Sequence, residues 1–401
     1  MSRRALHLGA VAVVVAAVAV LAGCSSSQPV RIEEDLGARP YVGDFYKIPS
    51  PLPSGAPGTL IATEQAPGQP DGAAAWRILF RSTDLAGKPV VNSGLLVVPD
   101  TPAPAGGRSI VSWGHPTTGS AEKCAPSRFF DPYVFVEGLT DLLDRGYAVV
   151  YTDYTGMGVP GPDSYLVGDT EGRNVLDAAR AARTVLGPEA SDRVVLWGHS
   201  QGGQAVLFAA QLAASYAPDL DVRAAAVAAP ATDLASLMRA DIGDVSGVSI
   251  ASYAFAAYAA VYDQPLQSIL TPAAVDALPT MNTFCLLTQN SALHRVAKPL
   301  IGAFLSADPE TTEPWSGLLA ANTPGASRIA VPLFVAQGLS DKLVRPSATD
   351  AFVAREKAEG TAVTYDRIPG ATHGTVADKA IPRVLEWLDA NGGGAAAVTG
   401  P

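Results

Sequence analysis

The chain has 401 residues, of which 48% are hydrophobic and 16% are charged, and it carries a formal charge of −10 at pH 7. This composition is typical of a globular enzyme and excludes a chain that is disordered over most of its length. An acidic surface repels phosphate backbones, so we expect no nucleic acid among the partners. The length allows one large α/β domain that carries an insertion.

The N-terminus has the features of an export signal. Arg3 and Arg4 precede an apolar run that ends in LAGC at positions 21–24. This order predicts a lipoprotein signal peptide over residues 1–23, followed by acylation of Cys24; an ordinary signal peptide or an anchor helix is the alternative. No later stretch is predicted to be apolar for long enough to span a bilayer. We therefore expect a soluble body that its lipid tethers to the membrane, outside the cytoplasm.

Residues 24–72 are rich in proline, glycine and serine, so we interpret them as a tether and an N-terminal arm. From residue 73 onward, short apolar runs predict strands at 76–83, 90–98, 109–113, 147–152, 193–197, 224–229, 331–336 and 363–368. Apolar residues at helical spacing predict helices at 134–143, 172–186, 201–216, 347–358 and 380–390. The first two strands are joined by a turn and predict an antiparallel start. The later alternation predicts an α/β fold, with a mostly parallel sheet covered by helices on both faces.

Residues 232–324 interrupt this alternation. They contain no clear strand, and repeated prolines break apolar stretches that are rich in alanine and tyrosine. We expect a helical cap inserted into the core, because long excursions are usually functional; an ordinary surface excursion is the alternative. The core then comprises residues 73–231 and 325–392, and residues 393–401 form a flexible tail.

The sequence Gly-His-Ser-Gln-Gly at 198–202 carries the strongest chemical signal. The G-x-S-x-G pattern alone is weak, because a glycine-rich bend after a strand would match it. Here it lies between a predicted buried strand and a predicted helix, which is the context of a nucleophile elbow. Ser200 is therefore the predicted nucleophile, and Gly203 would let the start of the helix pack close to the sheet.

A serine nucleophile requires a general base, and the chain has five histidines. His7 belongs to the leader, His115 follows an early strand, and His294 lies in the predicted cap. We expect the His199 side chain to point away from Ser200. His373 lies between the last predicted strand and the last predicted helix, where an elbow enzyme places its base. A loop histidine that caps the helix is the alternative.

The acid of a triad should follow the preceding strand. Asp341 is the carboxylate nearest to the end of the strand at 331–336. We expect Asp350 and Asp366 to be solvated, and Asp308 in the predicted cap is a weaker rival. The chain order of serine, acid and histidine fits the α/β-hydrolases and differs from that of the two common serine protease classes.

Acyl transfer also requires hydrogen-bond donors for the oxyanion. The N–H of Gln201, directly after the nucleophile, is the first predicted donor. The second is expected from the loop after the strand at 109–113. Pro116 has no N–H, so Thr117 is the first choice and Thr118 the second, with a plain turn as the alternative.

Cysteine usage predicts one disulfide. If Cys24 is acylated, Cys124 and Cys285 are the only pair left in an oxidising compartment. Two separate buried thiols are the alternative. No metal or cofactor is predicted, and no particular oligomeric state.

The chain resembles the secretory lipase family, the lipase A-like group of the α/β-hydrolase superfamily, and looks like a bacterial lipoprotein member of it. The resemblance extends from about residue 40 to 390 and is carried by WGHPTTGSAEKCAPS (113–127), YTDYTGMG (151–158), WGHSQGGQA (197–205), SYAPDL (215–220), NTFC (282–285) and AQGLSDKLVRP (336–346).

The resemblance implies a triad of Ser200, Asp341 and His373, a Cys124–Cys285 disulfide, and a cap that shapes an acyl pocket. It also implies hydrolysis of carboxylic esters, often of long-chain fatty acids, without metal or cofactor. The LAGC signal and the HPTT loop depart from the yeast member of the family. An acyltransferase or an aminopeptidase-like hydrolase on the same fold is the alternative among enzymes, and a non-catalytic surface lipoprotein is the alternative outside them.

Overall fold

The computed structural model describes residue 41 and residues 43–392. The predicted signal peptide, the predicted acylation site Cys24 and the tail at 393–401 lie outside these residues.

Within the described residues, nine strands form one sheet in the order β1-β2-β3-β5-β4-β6-β7-β8-β9. Their bounds are β1 Leu60–Gln65, β2 Ala73–Thr83, β3 Pro89–Pro99, β4 Arg108–Gly114, β5 Ala148–Thr152, β6 Ala190–His199, β7 Asp221–Ala228, β8 Leu333–Gly338 and β9 Val363–Ile368. The pairs β1–β2, β2–β3 and β3–β5 are antiparallel, and the remaining pairs are parallel. This arrangement confirms the mostly parallel sheet with an antiparallel start.

The helices of eight or more residues, together with two shorter ones, cover the sheet and fill the segment between β7 and β8. Their bounds are α1 Leu139–Asp144, α2 Gly168–Leu186, α3 Gln201–Tyr216, α4 Leu234–Asp241, α5 Val245–Tyr262, α6 Pro272–Met281, α7 Asn290–Ala297, α8 Trp315–Ala321, α9 Pro346–Ala358 and α10 His373–Asn391. Residues 232–324, which contain α4 to α8, are called the helical insertion below.

Alternate side chains of β6 enter two cores on opposite faces of the sheet. Val194 and Leu196 pack into the core that includes α2, α3 and α9. Val195 and Trp197 pack into the other core, with α1, α10 and the helical insertion. All four side chains are buried, as expected of a central strand that has helices on both faces.

Three sequence-based boundaries were wrong by five residues or more. The helix predicted to begin at residue 134 begins at Leu139, because Gly138 before it has a left-handed backbone with φ = 77°. The predicted arm contains strand β1, which was missed because it pairs only with β2 at the sheet edge and all six of its residues are half-buried or exposed. The last helix begins at His373 instead of residue 380. The glycines at 370 and 374 suggest a loop, but Thr372 and Thr375 form a reciprocal capping box that starts the helix seven residues earlier.

Helix α5 differs from the expectation that no later stretch could span a bilayer. Among the described residues it is long and apolar enough to do so, judged by length and composition alone. Half of it is buried inside the protein, because it packs within the helical insertion. A buried helix of a folded domain has the same composition, so this property is explained by packing.

A disulfide joins Cys124 to Cys285, which are 161 residues apart. Cys124 follows β4, and Cys285 lies in the helical insertion between α6 and α7. Both residues are buried. The bond therefore ties the loop after β4 covalently to the helical insertion.

We predict that the Cys124→Ser/Cys285→Ser double variant unfolds with a free energy lower by about 3–5 kcal/mol, because a long closed loop no longer restricts the unfolded chain. Denaturant titration under non-reducing conditions measures the difference. Adding a reductant should destabilise the wild type by a similar amount and leave the double variant unchanged. Equal stability of the oxidised wild type and the double variant would contradict the prediction.

Candidate active site

Ser200 occupies the single position between the end of β6 and the start of α3. Its backbone has φ = 59° and ψ = −118°, a region that non-glycine residues rarely adopt. The strain is held in place because the N–H of Ser200 donates to the carbonyl of Ala228 at 3.0 Å. Strained backbone of this kind clusters at functional sites, where it presents a side chain that a relaxed turn would not.

The glycines around Ser200 allow three backbone segments to approach closely. A Cβ atom on Gly202 would lie 1.9 Å from the carbonyl oxygen of Gly114 at the end of β4. A Cβ atom on Gly198 would lie 2.3 Å from the carbonyl oxygen of Gly202, and one on Gly203 would lie 2.8 Å from the Pro230 side chain. Any other residue at these positions would push the turn away from β4 or from the end of β7.

The structure brings together the three side chains predicted for a triad. Nε2 of His373 lies 2.9 Å from Oγ of Ser200, and Nδ1 of His373 lies 2.8 Å from Oδ2 of Asp341. His373 is the first residue of α10, and Asp341 follows β8. The second carboxylate oxygen, Oδ1 of Asp341, accepts the N–H groups of Leu343 and Val344, both at 2.9 Å. The carboxylate therefore has one oxygen free to face the imidazole.

Electrostatics favour a neutral imidazole at this position. Burial lowers the pKa of His373 below its ordinary value of 6.5, against the opposing effect of the hydrogen bond that Nδ1 donates to Asp341. Because Nδ1 faces a carboxylate, it carries the proton, and Nε2 is left to accept from the Ser200 hydroxyl. The arrangement can thus remove a proton from Ser200 near neutral pH.

The rival carboxylates lie elsewhere. Asp366 is buried and accepts a hydrogen bond from Arg383, so the expectation that it is solvated was wrong. The partner is on α10, which packs across β9 and removes this side chain from water. Asp350 is bonded to Tyr365, and Asp308 is exposed and accepts the N–H of Glu310.

Of the two threonines predicted as oxyanion donors, only Thr117 lines the cavity beside Ser200. Its hydroxyl shares a 2.8 Å hydrogen bond with the hydroxyl of Tyr165. Thr118 is fully buried and donates to the carbonyl of Cys124. Gln201 is the first residue of α3, where a backbone N–H has no acceptor within its own helix. The geometry favours Gln201 and Thr117 over Thr118.

The site contains a second pair of an acid and a histidine, which was not predicted from the sequence. Oε1 of Glu137 lies 2.9 Å from Nδ1 of His199, and Oε2 of Glu137 accepts from Trp113 at 3.1 Å. The His199 ring packs 4.9 Å from the His373 ring, between centroids. His199 therefore contacts the candidate base, and no hydrogen bond joins it to Ser200 among the described residues. Glu137 was not singled out because its neighbourhood in the sequence indicates only an amphipathic helix.

A cavity lies beside Ser200. Most of its wall is apolar and belongs to α4 and α5 of the helical insertion, including Leu234, Leu237, Ile250 and Phe255. The polar groups of the turn lie against this apolar space. The cavity can therefore bind an apolar chain whose end reaches Ser200.

Asp241, the last residue of α4, places a buried carboxyl on the cavity wall. Its Oδ1 lies 3.3 Å from Nη2 of Arg345, which follows the Asp341 loop. Burial raises the pKa of Asp241 to about 6, against the opposing charge of Arg345. The pair links the helical insertion to the loop that carries Asp341.

Across residues 41 and 43–392, no group of three or more His, Cys, Asp or Glu side chains could hold a metal ion.

Comparisons with known proteins agree on one family. The family model described as secretory lipase matches residues 136–400. Lipase A of Moesziomyces aphidis is 26% identical over 374 residues, which cover 83% of this chain and 76% of that protein. A Mycobacterium tuberculosis protein described as a probable inactive lipase is 26% identical over 369 residues, covering 86% of this chain and 80% of its own.

Among solved structures, the closed state of Candida antarctica lipase A matches with a TM-score of 0.71 and 21% identity. The match covers 88% of this chain and 86% of that chain. At this identity the similarity concerns the fold, and it confirms the α/β-hydrolase fold.

We predict that Gly202→Ala lowers the free energy of unfolding by at least about 2 kcal/mol, because the added Cβ would overlap the carbonyl of Gly114 and neither backbone segment can move alone. Gly374→Ala is the matched control. It is also the second residue of a helix, but its Cβ would meet no atom within 4 Å. Denaturant unfolding should show the control within about 1 kcal/mol of the wild type. Equal losses in the two variants would refute the steric argument.

Proposed function

Because the chain belongs to the secretory lipase family, we propose that it hydrolyses carboxylic esters through an acyl-enzyme on Ser200. One observation carries the proposal: a continuous chain of hydrogen bonds from Ser200 through His373 to Asp341, at the end of an apolar cavity. Family membership supports the reaction class, and the hydrogen-bond geometry supports the assignment of the residues.

In the first half of the reaction, Oγ of Ser200 attacks the ester carbonyl carbon while Nε2 of His373 takes the hydroxyl proton. Asp341 holds the imidazole by Nδ1 and stabilises the imidazolium. The tetrahedral intermediate then breaks its bond to the alkoxy oxygen, which takes the proton from Nε2 and leaves as an alcohol. The acyl group remains on Ser200.

In the second half, a water molecule attacks the acyl carbon and gives its proton to Nε2 of His373. The bond to Oγ of Ser200 breaks, Ser200 recovers the proton, and a carboxylic acid leaves. The negative oxygen in both tetrahedral intermediates would accept from the N–H of Gln201 and from Thr117. The dipole of α3, whose first residue is Gln201, favours negative charge at that point.

The cavity supports a substrate class. Its apolar wall suits the acyl group of a fatty-acid ester, because moving the acyl group from water into an apolar site lowers the free energy. The helical insertion supplies most of this wall, which supports its role as a cap over a core formed by residues 73–231 and 325–392.

The proposal extends to the location of the protein. Family membership fits export, and the LAGC sequence at 21–24 supports acylation of Cys24 and attachment to a membrane. The disulfide between Cys124 and Cys285 is compatible with an oxidising compartment. Residues 24–72 would act as the tether, although the strand at 60–65 belongs to the sheet.

We predict that the purified protein hydrolyses nitrophenyl esters and that Ser200→Ala lowers kcat by at least about 10³-fold, because the nucleophile is lost. A series of esters of increasing acyl length measures the preference, which should favour acyl chains that fill the cavity. A phosphonate probe should label the wild type and spare the variant.

Three results would contradict this assignment in different ways. Preference for an aminoacyl anilide would identify an aminopeptidase-like enzyme, and transfer of the acyl group to an added alcohol in place of water would identify an acyltransferase. A folded protein that neither turns over esters nor reacts with the probe would be a non-catalytic lipoprotein.

We predict that kcat/KM falls on acidification with a midpoint below pH 6.5. The base must be neutral, and burial lowers the pKa of His373, so activity persists below the ordinary histidine range and is lost as pH falls through the lowered value. Glu137→Gln should move the midpoint further toward acid, because the Glu137 charge raises the pKa of His373. Glu386→Gln is the control, because Glu386 is an exposed glutamate on α10, the helix that begins at His373. A midpoint above 6.5 would contradict the assignment of His373.

A further inference from the structure

Glu171 is a fully buried acid that the ester hydrolysis described above does not use. It lies in the first turn of α2. Its Oε1 accepts the backbone N–H of Leu166 at 3.1 Å and the side-chain Nε2–H of Gln201 at 2.6 Å. Leu166 and Gln201 both line the cavity beside Ser200. Glu171 thus contacts Gln201, the neighbour of Ser200, and does not contact Ser200 by a hydrogen bond.

Two oxygens at this contact have no partner among the described residues. One is Oε2 of Glu171, and the other is Oε1 of Gln201. Both are buried acceptors, and leaving such atoms unsatisfied is costly. They belong to the two groups that already share the 2.6 Å hydrogen bond. A carboxylic acid and an amide can pair through two parallel hydrogen bonds, and one proton on Oε2 would satisfy both oxygens.

The surroundings of Glu171 disfavour a negative charge. The ionisable groups that act on it electrostatically are Asp163 on the preceding loop and three tyrosines, Tyr154, Tyr165 and Tyr258. None of them is a cation. Burial raises the pKa of Glu171 well above its ordinary value, and Asp163 raises it further, against the hydrogen bonds from Gln201 and Leu166.

We propose that Glu171 works as a neutral acid, donating from Oε2 to Oε1 of Gln201 while accepting from Nε2 of Gln201, and so acts as a positioning residue for the oxyanion site. The inference rests on the proposed ester hydrolysis at Ser200. Two hydrogen bonds lock the Gln201 side chain and, with it, the first residue of α3, whose N–H faces the oxyanion.

The proton on Glu171 also has an electrostatic function. The tetrahedral intermediate carries a negative oxygen beside Gln201, and a carboxylate directly behind that residue would repel it in a site of low dielectric constant. A neutral acid keeps the same hydrogen bonds without the repulsion. Leu166, which has φ = 56° and lines the cavity, is held by the same carboxyl group.

The test compares two substitutions of Glu171. Glu171→Leu removes both hydrogen bonds and should lower kcat by about 10–100-fold with a smaller change in KM, because the oxyanion contact acts mainly in the transition state. Glu171→Gln can donate from its amide nitrogen and accept at its amide oxygen, so it should restore most of the lost kcat. Thermal unfolding of both variants establishes that the protein is folded.

A spectroscopic measurement tests the protonation state independently of turnover. Difference infrared spectra of wild type against Glu171→Gln near neutral pH should contain the C=O band of a protonated carboxyl group. A carboxylate band in its place would overturn the proposal, and so would a folded Glu171→Gln variant as impaired as Glu171→Leu. An inactive wild type that retains the protonated band would refute the proposed function and leave Glu171 neutral.

Discussion

The site depends on how closely the turn after β6 approaches the end of β4. Without side chains at Gly202 and Gly114, the two backbone segments come into direct contact, and Ser200 is forced into its strained conformation. This contact fixes the position of the hydroxyl and of the Gln201 N–H at the same time. His373 and Asp341 then reach Ser200 from the ends of two later strands, which the parallel sheet aligns at one edge.

Much of this arrangement could be predicted from the sequence, because it depends on patterns among neighbouring residues in the chain. The strands after residue 73 are short apolar runs, and Ser200, Asp341 and His373 each follow one of them. Strand β1 and the start of α10 could not be predicted in the same way. The first is an edge strand with little burial, and the second is set by a threonine capping box inside a glycine-rich stretch.

The acids were the least predictable residues, because their behaviour is set by burial. Glu137, Glu171 and Asp366 lie in sequences that suggest solvated faces of helices or strands. In the structure, each carboxyl group is bonded to a specific partner, and those of Glu171 and Asp366 are buried. A carboxylate in a charged stretch and one facing a catalytic histidine look alike in the sequence, since only the packing of distant segments distinguishes them.

The disulfide has a mechanical consequence. The helical insertion is joined to the sheet at both of its chain ends, between β7 and β8, and Cys285 adds a third attachment beside β4, on the far side of β6. A segment attached only at its two chain ends can rotate as a rigid body about those ends. With a third anchor across the sheet, that rotation is blocked while the bond is intact. Substrate must then reach Ser200 through smaller rearrangements, such as a shift of α4 or of single side chains.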